Sequence, residues 1–184
     1  MVDQAHDVVN RDEARELAQG NPHSFLHVTK PEIDLPDEVS SYDDAVYSQG
    51  RKALDTLIAE GTLVQDDTDN LYAYALTMNG RTQTGYVLCA SCTEYDQNIV
   101  KKHEFTRPDK EDDRVKNIEA LSAQSGTVFL VHRDSEILAT TMSSVTQSPA
   151  EVDFTADDGI RHQLWVISNR KLIDNIVRGF GELG

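Results

Sequence analysis

Between Ser40 and Glu60 the apolar residues Val46, Ala53, Leu54, Leu57 and Ile58 recur close to helical spacing. Gly61 follows where a left-handed C-cap belongs, and Ser40 or Ser41 can cap the start. This is the clearest helix in the chain, and Gly50 is an interior defect worth about 1 kcal/mol against alanine. A shorter helix precedes it, capped by Asn10 or Asp12, with Ala14, Leu17 and Ala18 on its apolar side and Gly20 at its end. Between the two, Ser24 to Leu35 reads as extended. Phe25-Leu26-His27-Val28 has strand chemistry, and Pro22, Pro31 and Pro36 place it at an edge or in an irregular crossing.

The period then changes. Leu71–Thr77 and Thr82–Cys89 are β-rich runs around Asn79-Gly80, a strong hairpin signal. A helix is predicted from about Pro108, capped by Thr106, with Asp109, Glu111, Asp112 and Asp113 at its positive end. Its inward stripe should be Val115, Ile118 and Leu121 or Ser122. Thr127–His132 reads as a buried strand, and Ser135 to about Ser144 as a helix. A second hairpin, Val152–Phe154 with His162–Ile167, turns at Asp157-Asp158-Gly159. Ser168 caps a last helix with Leu172, Ile173, Ile176 and Val177 on its apolar face. Hairpins mixed with helices predict an α+β fold with a mixed or antiparallel sheet and flanking helices. No repeat or long linker divides residues 1–184, so a single domain is expected.

Composition narrows the setting. The chain has 184 residues, 39% of them apolar, with 17 Lys+Arg against 32 Asp+Glu and a net charge of −15. Such a charge opposes non-specific binding to nucleic acid or to an anionic membrane. No apolar run is long enough to span a bilayer, and the N-terminus lacks the form of a signal peptide. A cytoplasmic protein is expected, since two cysteines are no disulfide framework. Cys89-Ala90-Ser91-Cys92 has metal or redox spacing, but a zinc site needs further ligands, and a redox pair usually opens a helix whereas this one ends an apparent strand. Two small buried cysteines are expected there, and no metal site. His132 and His162 are expected to be structural strand residues and Trp165 to lie in the core. Phosphate-loop, dinucleotide-fold and hydrolase motifs are missing.

The segment Ile99–Arg114 is the densest in candidate chemistry. It gathers Lys101, Lys102, Arg107, Lys110 and Arg114 around His103 at the entry to a helix. Unpaired backbone N–H groups at a helix start, with cations beside them, make an anion site, and arginine suits phosphate. Glu104 stands at the same entry, where a carboxylate can orient a hydroxyl nucleophile and take its proton. The same residues also read as a solvated, charge-laced helix start.

Lys101-Lys102-His103-Glu104-Phe105-Thr106, followed by Lys110-Glu111-Asp112-Asp113-Arg114, resembles the signature of the family called domain of unknown function 1015. Asn21–Val28 with Lys30-Pro31-Glu32, Glu60–Leu63, Leu71–Tyr74 and His162–Trp165 are similar to other motifs of that family. The resemblance implies a relation to ParB-like phosphotransferases that phosphorylate free serine, and so a cytoplasmic kinase of serine metabolism using ATP or ADP with Mg²⁺. Glu104 would match the catalytic base; Lys102, His103, Thr106, Arg107 and Arg114 would be phosphate or substrate residues. By the same resemblance the chain would correspond to the N-terminal to middle part of the family domain, stopping before an Asp-Gly-His-His-Arg motif thought to cradle nucleotide phosphates. A non-catalytic phosphate- or nucleotide-binding module, or half of a split enzyme completed by a second chain, is the alternative. Self-association would suit an incomplete sheet.

Overall fold

The computed structural model describes residues 9–102 and 107–183. In chain order the elements are α1 (Arg11–Ala18), α2 (Leu26–Thr29), a 3-10 turn (Pro31–Asp34), α3 (Asp44–Ala59), β1 (Leu71–Met78), β2 (Arg81–Val87), α4 (Cys92–Asp96), α5 (Pro108–Leu121), α6 (Glu136–Thr146), β3 (Val152–Thr155), β4 (Arg161–Ile167) and α7 (Arg170–Gly181). Helices thus accompany an antiparallel sheet, and the class is α+β. The chain divides into two compact units. The first is Met1–Gln65 with Glu104–Phe129, and the second is Asp66–His103 with Leu130–Gly184.

The first unit is helical. The Asn10 side chain accepts the Glu13 N–H at 3.0 Å while Glu13 accepts the Asn10 N–H at 2.8 Å, a reciprocal cap that starts α1. Val9, Ala14 and Ala18 pack with Leu26 and Ile33. Val28 packs instead with Leu57 and Leu121. The expected extended stretch from Ser24 to Leu35 is therefore wrong: the segment is two short helical turns. Pro31 opens the second turn, where a missing N–H costs nothing, so the prolines delimit helices rather than mark a sheet edge. Asp43, not Ser40 or Ser41, caps α3. Gly50 is no mere defect. A Cβ there would stand 3.1 Å from the Val28 carbonyl oxygen and 3.2 Å from Pro31 Cγ. Its absence lets the Val28–Pro31 backbone lie against α3.

The second unit is a four-stranded antiparallel sheet in the order β2-β1-β4-β3. Asn79 and Gly80 both have positive φ, the turn that matches strand twist in a two-residue hairpin. Ala73, Ala75, Trp165 and Ile167 form one core with Leu138 and Val145 of α6 and Ile176 of α7. The indole N–H of Trp165 donates to the Ser148 carbonyl at 2.9 Å. A Cβ on Gly179 would come within 2.7 Å of Leu138 Cδ2, so α7 meets α6 through a missing side chain. Asn169, rather than Ser168, caps α7, and Val177 on its expected apolar face is exposed.

Two further expectations fail. Thr127–His132 forms no strand, and Val128 and Val131 are 77% and 84% exposed. Among the described residues the sheet pairs only β1 to β4, so this apolar run has no ladder to join, and it spans the boundary between the units. Cys89 and Cys92 are exposed rather than buried. β2 ends at Val87, before them, and Cys92 opens the short α4, none of whose residues is buried. No helix of the described residues is long and apolar enough to cross a membrane.

The Gly50 geometry gives a test. Alanine normally strengthens a helix by about 1 kcal/mol. Here Gly50→Ala should instead destabilise the protein by about 1–3 kcal/mol, through forced displacement of Pro31. Gly126→Ala, whose Cβ meets nothing within 4 Å, should change stability by no more than about 0.5 kcal/mol. Urea unfolding of both variants, followed by circular dichroism, measures the difference.

Candidate functional site

A cavity of about 180 Å³ opens in the first unit, walled by the turn after α2, by α3 and by α5. Its chemistry is carried by Lys30, Glu32, Tyr47, Lys110, Asp113 and Arg114. Three cations and two carboxylates around so small a space make a polar pocket, below the roughly 300–1,000 Å³ of sites that enclose drug-sized ligands.

Asp113 is the centre of the wall. It sits on the buried face of α5 with Asn117 and Leu121. The expected stripe of Val115, Ile118 and Leu121 is thus shifted, and Val115 faces solvent. A buried carboxylate must be hydrogen-bonded or paired. The Tyr47 hydroxyl donates to Asp113 Oδ1 at 2.8 Å, and the Arg114 guanidinium donates to Oδ2 at 2.7 and 3.3 Å. Burial first, and then the bond to Asp113, push the Tyr47 hydroxyl far above its ordinary pKa, so it remains a donor across the physiological range. Arg51 donates to the Leu121 carbonyl at 2.9 Å and ties the end of α5 to α3. The Lys110 ammonium donates to the Tyr42 hydroxyl at 3.1 Å at the rim.

The turn after α2 contributes Lys30 and Glu32, which are 9% and 5% exposed. Lys30 is the residue between α2 and the 3-10 turn, and its N–H donates to the Leu26 carbonyl. The Lys30 Nζ to Glu32 Oε1 separation is 3.7 Å, an ion pair without a hydrogen bond.

The residues singled out by sequence are dispersed. Arg114 lines the cavity. Arg107 caps α5 through its backbone, and its guanidinium forks onto Asp109 at 2.6 and 3.1 Å in an exposed local pair. That bond holds the Asp109 carboxyl below its ordinary range. Lys102 belongs to the other unit, where its ammonium stands 4.0 Å from the centroid of the Tyr95 ring. His103, Glu104 and Thr106 lie outside the described residues. Among the described residues no group of three His, Cys, Asp or Glu is placed to hold a metal.

Sequence reading gave no role to Lys30, Glu32 or Tyr47 and placed Asp113 only among the acids at the start of α5. One signal was present: Asp113 and Asn117 stand eight and four positions before Leu121, so a polar pair shares the face of a buried leucine. Lys30-Pro31-Glu32 offered only a motif.

The family described as protein of unknown function (DUF1015) matches the chain over residues 1–183. No curated protein and no solved structure matches it.

The role of Tyr47 can be tested alone. Tyr47→Phe keeps the ring and removes one donor to the buried Asp113, and should cost about 1–3 kcal/mol of stability. Tyr42→Phe, at the exposed rim, should cost less than about 0.5 kcal/mol. Paired thermal and urea melts give the comparison.

Proposed function

The chain belongs to the DUF1015 family, and from that premise and the cavity of the first unit we propose a phosphotransferase-like function on a small hydroxyl compound. Free L-serine is the best candidate acceptor, with ATP or ADP and Mg²⁺ as the donor. The observation that carries the reading is the placing of Arg114 and Lys110, from the helix that follows the Lys102–Thr106 segment, on one cavity with a buried carboxylate. Phosphoryl transfer asks a protein mainly for positioning and for positive charge on the transferring group. Arg114 and Lys110 supply that charge. Asp113 and Tyr47 hold Arg114 in place, since a guanidinium anchored to a fixed carboxylate has a defined direction.

Glu104 is assigned as the base. It takes the acceptor's hydroxyl proton as the hydroxyl oxygen bonds to the terminal phosphorus and the bond to the departing nucleotide breaks. A cavity of about 180 Å³ suits the acceptor and the transferred phosphoryl. The nucleotide's base and sugar need other walls. Mg²⁺, which keeps several waters and binds largely through substrate phosphates, neutralises the donor's charge when bound. The same small cavity favours the second reading, a non-catalytic phosphate-binding module or half of a split enzyme, in which this chain holds only part of the substrate.

Mass spectrometry for O-phosphoserine decides between them. With L-serine, Mg²⁺ and ATP or ADP, the parent chain should form product, and Glu104→Gln should lower the rate by about a hundredfold or more. Equal rates would remove Glu104 from its role. No product, together with stabilisation by inorganic phosphate or phosphoserine, would establish the binding module.

A further inference from the structure

The pair Lys30–Glu32 plays no part in the reaction assigned above, and its geometry is unusual for a structural ion pair. Both residues are deeply buried, with side chains only 11% and 6% exposed. Among the described residues their contact at 3.7 Å is the only polar side-chain contact given to either. An ammonium offers three donors and a carboxylate several acceptor positions. A structural pair that deep closes to about 2.7–2.9 Å and satisfies the rest of its capacity with further hydrogen bonds. This one does neither, and both residues wall the cavity. Neither the ammonium nor the carboxylate oxygens are among the described side-chain atoms sealed from solvent without a partner, so the unused capacity is not shut into the core.

The surroundings hold the pair in place. Lys30 follows Thr29 at the end of α2, Pro31 starts the next turn, and Gly50 lets the backbone from Val28 to Pro31 lie against α3. Lys30 and Glu32 are therefore presented by a tightly packed corner. In the same cavity, Asp113 already has a donor on each oxygen, so it is not the group that lacks a partner.

We propose that Lys30 and Glu32 are a specificity pair that grips the non-reacting end of a small ligand. Lys30 takes an anionic group such as a carboxylate. Glu32 takes a hydrogen-bond donor a few bonds away, an ammonium or a hydroxyl. The ligand class is the small amino acids and hydroxy acids. The proposal rests on the cavity being a ligand site, and it adds residues to which the phosphoryl-transfer reading assigns nothing.

The test is a binding panel on the full chain, read by calorimetry and melting temperature. Its probes are L-serine, L-lactate, ethanolamine and inorganic phosphate. The parent should bind L-serine or L-lactate, and should bind ethanolamine, which lacks the anion, at least tenfold more weakly. Lys30→Met should weaken L-serine and L-lactate at least tenfold. Glu32→Gln should weaken L-serine at least tenfold and L-lactate less, because a neutral amide still accepts from a hydroxyl but no longer pairs with an ammonium. Phosphate binding should stay within threefold in both. The double variant Lys30→Met with Glu32→Leu removes both charges, leaves no orphan, and keeps the test open should a single variant fail to fold. It should fold and bind neither organic probe. Variants that melt lower but keep the parent's affinities would show a structural pair and overturn the proposal, as would a parent that binds none of the organic probes. A parent that binds L-serine with the expected variant effects but forms no O-phosphoserine with ATP or ADP would support the pair and remove the phosphoryl-transfer reading instead.

Discussion

A carboxylate buried against a helix must be held from more than one side, and in the first unit that requirement organises everything around the cavity. Asp113 takes Tyr47 from α3 on one oxygen and Arg114 from its own helix on the other. The pairing of α3 with α5 is thereby polar at the cavity and apolar below it, where Leu57 and Leu121 meet Val28. Fixing Asp113 also orients Arg114, whose guanidinium donates to it. A charged pocket wall results from packing two helices around one acid.

Missing side chains matter as much as present ones. Gly50 and Gly179 are both interior to helices, where glycine is costly. Each is explained by what a Cβ would strike: the Val28 carbonyl and Pro31 in one case, Leu138 in the other. In the first unit the close approach carries the Lys30–Glu32 corner to the cavity. In the second it seats α7 on α6 beneath the sheet. Helix propensity is given up where backbone proximity is needed.

The parts of the fold that were legible in the sequence share a local cause. Asn79-Gly80 and Gly159 need positive φ at the two hairpin turns, and few other residues supply it. The body and end of the long helix α3, the helix after Ser135 and the apolar run of β4 follow from period and local chemistry within a few residues, although the cap of α3 is Asp43 rather than Ser40 or Ser41. The misreadings share a different cause. Phe25-Leu26-His27-Val28 has strand composition, yet Leu26 and Val28 serve two separate apolar clusters, which a helical turn allows and a single strand face does not. Thr127–His132 has the composition of a buried strand, but a strand exists only where another offers its edge. The cysteines read as buried because cysteine usually is; here the chain leaves the sheet before reaching them.

Of the candidate site, the sequence by itself determined the cationic helix entry, the acidic helix start and the presence of Arg114 near both, because helix-end electrostatics act over a single turn. Family membership was likewise written in contiguous motifs. Tertiary structure alone decided that Tyr47 reaches Asp113, and that Lys30 and Glu32, more than seventy positions before Arg114, share its cavity. The reason is distance. A cap or a turn is set by neighbours in the chain, whereas a pocket is set by which helices pack, and Tyr47 meets Asp113 only after α3 and α5 have done so.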